Sequence, residues 1–242
     1  MTFDPFGDFE TRGYLPNFEG EKNLDIVRRL EHLSFTTGVE DAFQKLSQVE
    51  TLSYEDVLGT HKILFEAVYP WAGQDRSTTA PELAVSKGPV LFAYPQDIRR
   101  SIEYALHKGQ DKAFMSSQPG TVMGYMAYGH PFLDGNGRTI MVIHSELAKR
   151  AGFSIDWGAT SKFDYLAALT SELDDPGKGH LDAYLKPFIK GAVASDRLAA
   201  EVAAAPGLDG NADLNAVLGK IGEPQLQARY QQQELRRKRA QR

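Results

Sequence analysis

The stretch "HPFLDGNGRTIM", residues 130–141, places a histidine, a phenylalanine, an aspartate, a Gly-Asn-Gly turn and an arginine close together in the chain. It stands between two mainly apolar segments, "TVMGYMAYG" at 121–129 and "RTIMVIHSELAKRAG" from Arg138, which predict two buried helices. "DGNG" alone is a good turn sequence. All these groups in one loop between buried helices predict a functional site.

The second half of the loop has the composition of an anion-binding helix start. Gly135 and Gly137 allow a backbone to approach a ligand closely, and the first turn of the following helix presents free N–H groups to an anion. Asn136 can hydrogen-bond a phosphate or brace the loop, and Arg138 can grip phosphate oxygens with two parallel bonds.

The first half of the loop supplies a base and a metal ligand. His130 can take a proton from an attacking hydroxyl, and Asp134 is a hard oxygen ligand suited to Mg²⁺ beside bound phosphates. Phe132 is expected to point inward and anchor the loop. Together these groups suffice for transfer of a phosphorus-containing group.

The amino-acid composition excludes several classes of protein and of functional site. The chain has 242 residues, 42% apolar and 24% charged, with a net charge of −5 and no cysteine. The absence of cysteine excludes disulfides, thiolate zinc sites and a cysteine nucleophile. No basic footprint for nucleic acid, no signal peptide and no membrane-spanning run is found, so we expect a cytoplasmic protein; delivery into another cell stays open.

Apolar periodicity predicts an all-α fold with one short hairpin. A helix begins near Leu24, and a second follows Ser53, whose capping box with Asp56 starts a face running to Val68 and ended by Pro70. Two short apolar runs around Lys87, Gly88 and Pro89 predict the hairpin.

The later part of the chain predicts more helices and a change of character near its end. Pro95 starts a helix that Gly109 follows, and residues 180–205 form one long helix in which Pro187 causes a bend. We expect an N-terminal arm (1–21), a catalytic domain (22–205) and a polar, basic tail (206–242). The tail is either solvated, as a coil or terminal helix, or contacts an acidic partner or nucleic acid.

The motif resembles the signature of the Fic (filamentation induced by cAMP) family, His-x-Phe-x-Asp/Glu-Gly-Asn-Gly-Arg-x-x-Arg. "THKILFEAVYPWAGQDR" resembles the family's upstream helix and turn, and "SKGPVLFAYPQDI" resembles its flap hairpin, so the similarity covers most of residues 20–195. The resemblance implies a helical core with a hairpin flap and transfer of AMP from ATP to a hydroxyl side chain of a target protein.

Site roles follow from the resemblance position by position. His130 would deprotonate the target hydroxyl, Asp134 would hold Mg²⁺, and Arg138 would contact the nucleotide phosphates, with the anion hole formed by Gly135, Asn136 and Gly137. The flap would align the target segment by strand-like pairing. Its residues are Lys87, Gly88, Pro89, Val90, Leu91 and Phe92. We also expect the tip to be exposed and each flap strand to lack a neighbour on one edge.

Met141 departs from the family pattern, because the second arginine belongs at this position. In the family that arginine contacts the terminal phosphates of ATP, and methionine has neither charge nor donor. Three alternatives stay open: AMP transfer with weaker phosphate binding, transfer from another donor (another nucleotide, phosphocholine or a terminal phosphate), or nucleotide binding without turnover.

Many relatives also carry an inhibitory motif, Ser/Thr-x-x-x-Glu-Gly/Asn. The nearest match runs from Thr36 to Glu40, with Asp41 in place of Gly or Asn. Since the match is incomplete and its arginine partner is missing, a separate antitoxin protein is the more plausible inhibitor of the activity.

Overall fold

The computed structural model describes residues 5–6, 8–208 and 216–241, and within them the all-α prediction with a short hairpin is confirmed. The helices are α1 (Phe9–Arg12), α2 (Leu24–Ser47), α3 (Tyr54–Phe65), α4 (Arg76–Thr79), α5 (Ile98–Gln110), α6 (Lys112–Ser117), α7 (Pro119–Gly129), α8 (Asn136–Arg150), α9 (Lys162–Asp174), α10 (His180–Leu185), α11 (Ser195–Ala203) and α12 (Pro224–Ala240). The strands are β1 (Leu83–Lys87), β2 (Val90–Leu91), β3 (Phe153–Ile155), β4 (Ile189–Gly191) and β5 (Ala216–Lys220).

Helices α7 and α8 form the centre of the molecule. Every residue of α7 is buried, as its all-round apolar sequence predicts. Helices α5, α9 and α10 pack on α7, while α2, α3 and α11 pack on α8. The loop 130–135 joins the two central helices, so the whole core holds it in place.

The start of α3 follows the sequence prediction, but its end does not. Ser53 and Asp56 form the predicted capping box. The helix ends at Phe65, ahead of Pro70, so Val68 lies beyond the helical face assigned to it. The amides of Val68 and Tyr69 both bond to Phe65 O in a turn that ends the helix before proline could do so.

Two other helix limits also differ from the sequence prediction. Gly109 lies inside the last turn of α5, which ends at Gln110. Helix α8 begins at Asn136 rather than Arg138, because Gly135 supplies a left-handed N-cap with φ of 73°.

The segment around Pro187 is not one bent helix, and that prediction is wrong. Helix α10 ends at Leu185, residues 186–188 form a 3-10 turn, and β4 then pairs antiparallel with β3. Because Pro187 lacks an N–H and residues 189–191 find strand partners, the chain leaves the helix completely.

The hairpin forms where predicted, with Lys87 paired to Val90 and Gly88–Pro89 at its tip. The expectation that each flap strand lacks a neighbour on one edge is wrong for β1. Its outer edge pairs antiparallel with β5, which gives a sheet of order β2-β1-β5. Within the described ranges, β2 has no second strand beside it.

The described parts of both terminal segments contact the core. Residues 1–4 and 7 of the predicted arm fall outside the described ranges, as do 209–215 and 242 of the predicted tail. The described arm is attached by Trp71 Nε1, which donates to Pro16 O at 3.2 Å. In the tail, α12 buries Tyr230 and Arg237 and exposes most of its remaining residues.

Candidate functional site

A cleft of about 410 Å³ lies beside the motif loop. Its walls come from the N-terminal arm, α2, the flap, the motif loop with the start of α8, α9 and residues 206–208. Among its lining residues are His130, Asp134, Gly135, Asn136, Gly137, Arg138 and Met141. The structure therefore brings the predicted loop residues to one cavity.

His130 ends α7 in a left-handed conformation, with φ of 42°. A non-glycine residue adopts this conformation only where its surroundings enforce it. Here Arg76 Nε donates to His130 O at 2.8 Å, and the Phe92 ring stacks on the imidazole at 3.6 Å. Arg76 also donates to Ala93 O at 2.8 Å, so this buried guanidinium joins the flap exit to the histidine.

Asn136 contacts the same imidazole at its edge, through Nε2. Its Nδ2 lies 3.2 Å from His130 Nε2 and 2.7 Å from Phe132 O, while its Oδ1 accepts from Phe132 N at 2.8 Å. An amide nitrogen can only donate, so this contact requires a lone pair on His130 Nε2. Because both amide hydrogens are used within the loop, Asn136 would meet a phosphate through its backbone N–H.

The start of α8 is shaped for a close ligand. The first bond that reaches back to the N-cap runs from Thr139 N to Gly135 O at 3.0 Å, and the N–H groups of residues 136–138 precede it. Gly135 has φ of 73°, and a Cβ there would lie 2.5 Å from the Phe65 ring. Both facts require glycine at this position.

Arg138 is held by a residue that the sequence analysis did not identify. Its Nη2 lies 3.2 Å from Glu31 Oε2 on α2 and 3.8 Å from Asp134 Oδ1. Tyr69 donates its hydroxyl to the other oxygen of Glu31 at 2.7 Å. Nη1 of Arg138 has no partner among the described residues, which leaves that nitrogen for a ligand.

Glu31 is buried, and burial raises the pKa of its carboxyl to about 7, with the nearby Asp134 adding to the effect and Arg138 opposing it. The signal in the sequence was a charged residue on the apolar face of α2, one turn after Val27. A buried glutamate at such a position needs a partner, and Arg138 and Tyr69 provide it.

His61 packs against the motif loop and forms a hydrogen bond to its backbone. Gly73 N donates to His61 Nδ1 at 2.9 Å, so Nε2 carries the hydrogen and donates to Asp134 O at 3.1 Å. Its ring stacks on Phe132 at 3.7 Å, which places Phe132 inward as predicted. Burial lowers the pKa of His61 to about 3, so the ring is neutral near pH 7.

Asp134 fits a single-carboxylate metal site. Its side chain is 36% exposed and lines the cleft. Within the described ranges, no group of three acidic, histidine or cysteine side chains could hold a metal ion. Mg²⁺ commonly takes one or two carboxylates and completes its shell with water and phosphate oxygens, and Asp134 suits that arrangement.

Met141 lies on α8 one turn beyond Arg138, is 6% exposed and lines the cleft. Helix α9 continues this apolar wall. Its lining residues include Tyr165, Leu166, Leu169 and Leu173, which the sequence analysis did not assign to the site. Where a second arginine was expected, Met141 therefore presents an apolar side chain, although Arg28, Lys87 and Lys162 line the same cleft.

Two further sets of predicted residues lie in different places. Glu40, from the incomplete inhibitory motif, is exposed and does not line the cleft; the α2 carboxylate that reaches Arg138 is Glu31. In the flap, Gly88 and Pro89 are exposed as predicted and Lys87 is partly buried. Leu91 is fully buried and is not among the cleft residues, whereas Phe92 lies in the cleft against His130.

The fold and the cleft together define the class of protein. It is a helical protein in which one loop between central helices presents a histidine, a carboxylate and the backbone N–H groups of a helix start. Within the described residues, no helix is long and apolar enough to cross a membrane.

Comparisons with known proteins agree with this class. The model of the Fic/DOC family matches residues 51–148. The chain is 30% identical over 149 residues to "Probable protein adenylyltransferase y4lH" of Sinorhizobium fredii, a match that covers 58% of this chain and 71% of that one. The chain belongs to the Fic/DOC family.

A second relative is longer. "Protein adenylyltransferase VbhT" of Bartonella schoenbuchensis is 30% identical over 158 residues, and the match spans 64% of this chain but 32% of VbhT.

Solved structures show the same fold. The N-terminal Fic domain of a Bep effector of Bartonella quintana, solved with bound ADP, has a TM-score of 0.64 at 20% identity and covers 78% of this chain and 96% of its own. BepC of Bartonella tribocorum, solved with bound AMPPNP, has a TM-score of 0.60 at 17% identity and covers 76% of this chain and 96% of its own.

Proposed function

We propose that this protein is a protein adenylyltransferase, which transfers AMP from ATP to a hydroxyl side chain of a target protein. The target oxygen attacks the α-phosphorus, the bond from that phosphorus to the β,γ-diphosphate breaks, and pyrophosphate leaves. His130 Nε2 accepts the hydroxyl proton. The relatives named adenylyltransferases support this assignment.

The observation that carries the proposal is the contact between Asn136 Nδ2 and His130 Nε2 at 3.2 Å. A base needs a lone pair directed at the reacting proton. The Asn136 amide donates to the Nε2 lone pair and so identifies Nε2 as the unprotonated nitrogen, while the Phe92 ring and the Arg76 bond to His130 O hold the imidazole in one orientation. Such fixed orientation lowers the entropic cost of the transfer step. The target hydroxyl would take the place of this amide at Nε2.

The donor phosphates are proposed to lie at the start of α8. The backbone N–H groups of residues 136–138 and Nη1 of Arg138 would bind their oxygens. Asp134 would hold Mg²⁺ together with phosphate oxygens, and the bound metal would offset negative charge on the phosphates. The two Bartonella structures solved with bound AMPPNP and ADP support nucleotide binding by this fold.

The flap is proposed to align the target segment. Main-chain pairing to a strand edge gives affinity without requiring a particular side-chain sequence. Phe92, at the end of the hairpin, contacts His130, so a segment aligned by the flap would lie close to the base.

A different donor is the second candidate, and the apolar surroundings of Met141 favour it. Met141 supplies no charge for a terminal phosphate, so any charge there would have to come from other lining residues such as Arg28 or Lys162. A donor without a γ-phosphate, or one bound in another orientation, would fit this wall. Nucleotide binding without turnover is the remaining alternative, and an antitoxin partner stays a prediction.

Incubation with ATP labelled on the α- or the γ-phosphate separates these functions. Label from the α-position on protein is the expected result, and its loss in His130→Ala with nucleotide binding retained would identify the base. Label from the γ-position alone would mean phosphorylation. If neither label transfers, the same incubation with labelled UTP and CDP-choline tests other donors, and failure with all of them leaves binding without turnover.

A further inference from the structure

The outer edge of flap strand β1 is occupied by the chain's own C-terminal segment. Strand β5 pairs with it from Leu83 opposite Lys220 to Ser86 opposite Ala216. Ile221 extends the contact by donating its N–H to Glu82 O at 2.9 Å. Backbone groups that could bind an incoming strand are therefore already paired on this side.

The outer edge of β2 is also occupied, in this case by side chains of α12. Val90 pairs with Lys87, and Phe92 N donates to Val85 O, so the carbonyls of Pro89 and Leu91 point away from β1. Arg229 Nη2 donates to Pro89 O and Gln233 Nε2 donates to Leu91 O, each at 2.5 Å. These two carbonyls are the acceptors that a target strand would use.

Helix α12 is anchored to the core beside the flap. Tyr230 stacks on Tyr94 at 3.7 Å, accepts a bond from Tyr94 N at 3.1 Å and donates to Asp97 at 2.8 Å. One turn later, Glu234 accepts from Tyr128 at 2.6 Å. Arg237 lies 3.5 Å from the Tyr128 ring centroid and donates to Leu173 O at 2.7 Å.

We propose that residues 216–240 form a cover for the flap, and that a target segment can pair with the hairpin only after this cover has opened. The inference deepens the proposed function, because it rests on target alignment by the flap. Throughout the described ranges, each outward hydrogen-bonding edge of the hairpin is in contact with this segment.

The cover buries little apolar surface, which favours its detachment while the core stays folded. Strand β5 alternates between exposed and half-buried residues, and α12 buries only Tyr230 and Arg237. Leu218 is 40% exposed and Leu235 is 56% exposed, so these apolar side chains remain in contact with solvent while the segment is docked. Segments with so little buried apolar surface open at a lower free energy than the core does.

Hydrogen exchange on the full chain tests the opening directly. We expect the amides of β1 and β5 to exchange together, and at least about tenfold faster than those of α7 and α8. Arg229→Ala/Gln233→Ala should accelerate β1 and β5 by a further five- to tenfold and leave α7 and α8 unchanged, because it removes two bonds to the flap and no core contact.

The matched control is Gln232→Ala/Arg236→Ala, which makes the same pair of changes at exposed positions of the same helix. It should leave all of these exchange rates as in the wild type. The proposal is overturned if β1 and β5 exchange only at the rate of α7 and α8, since the segment would then be a permanent part of the core.

A crosslink tests the consequence for target modification. Ser86 and Ala216 are paired across β1 and β5, a spacing compatible with a disulfide, and the native chain has no cysteine. In Ser86→Cys/Ala216→Cys, oxidation should reduce α-label transfer from ATP to lysate proteins at least about tenfold, and reduction should restore it. Binding of a fluorescent ATP analogue should not change, and Ser86→Cys alone should show no redox dependence.

Equal transfer by the oxidised and reduced forms would overturn the requirement for opening. If the wild type transfers no label from ATP, the proposed adenylyltransferase activity fails instead. The exchange experiment then still decides whether the cover opens, because it needs neither donor nor target.

Discussion

Asn136 Nδ2 lies 3.2 Å from His130 Nε2, and the same amide group closes the loop by bonding to both backbone groups of Phe132. One side chain therefore fixes the shape of the loop and the protonation pattern of its histidine. Substitution of Asn136 therefore changes both at once.

Asn136→Asp is expected to lower transfer by about 10- to 100-fold, on the scale of one lost hydrogen bond in a charged site. The carboxylate can still accept from Phe132 N, but it cannot donate to His130 Nε2 or Phe132 O. Donor affinity and the rate of transfer are measured separately, with His130→Ala as the reference for a missing base. A variant that transfers as fast as the wild type would show that the amide does not orient the histidine.

Gly135→Ala is expected to destabilise the protein by about 1–3 kcal/mol, because it combines a left-handed φ with a clash against the Phe65 ring. Gly137→Ala is the matched control for stability. A Cβ at Gly137 meets nothing within 4 Å and Gly137 lies in the first turn of α8, so the free energy of unfolding of this variant should stay the same or rise by up to about 1 kcal/mol. Denaturant unfolding of both variants tests the difference; equal effects would mean that Phe65 moves aside.

Much of this site was predictable because its signals are local. The capping box of Ser53 and Asp56 and the all-round apolar sequence of α7 each depend on residues close in the chain. The motif loop joins α7 directly to α8, so its position followed once those two helices were recognised.

The features that the sequence did not predict depend on contacts between residues far apart in the chain. Glu31 reaches Arg138 from more than a hundred residues away, and β5 finds β1 across a similar separation. Neither pairing leaves a local pattern, since one charged residue on an apolar face or one short apolar run fits many structures. The break after Leu185 was missed for a related reason: β3, which pairs with residues 189–191, is itself too short to be recognised.

The pKa of Glu31 predicts a pH dependence of stability. Because its folded value of about 7 lies above the usual 4.5, the folded state binds this proton more tightly. The contribution of Glu31 is therefore complete below pH 4.5 and is lost as pH rises to about 7, by an amount on the order of 3 kcal/mol. Glu31→Gln should lack this loss.

His61 acts in the opposite direction over part of the same range. Its pKa is lowered from 6.5 to about 3, so its contribution is lost as pH falls through that interval. The difference between wild type and Glu31→Gln removes the histidine term, which both proteins share. Unfolding by denaturant from pH 4 to pH 8 gives that difference; a constant value would show that Glu31 has the same pKa in the folded and unfolded states.

Met141→Arg tests how the donor binds. Position 141 lies one helical turn beyond Arg138 and lines the same cleft, so an arginine there can reach phosphates bound at the start of α8. If the native donor is ATP, held with one contact too few, we expect ATP affinity to rise by about 10- to 100-fold and AMP transfer to increase. Met141→Leu is the control, because it keeps the wall apolar and should leave ATP affinity close to that of the wild type.

If the native donor instead packs an apolar or differently oriented group against Met141, the arginine would place an unpaired charge against it and impair the native reaction. ATP affinity and α-label transfer are measured for the three proteins side by side. No gain in either quantity, in a variant that unfolds at the wild-type denaturant concentration, would exclude a weakened ATP site and assign the cleft to another donor.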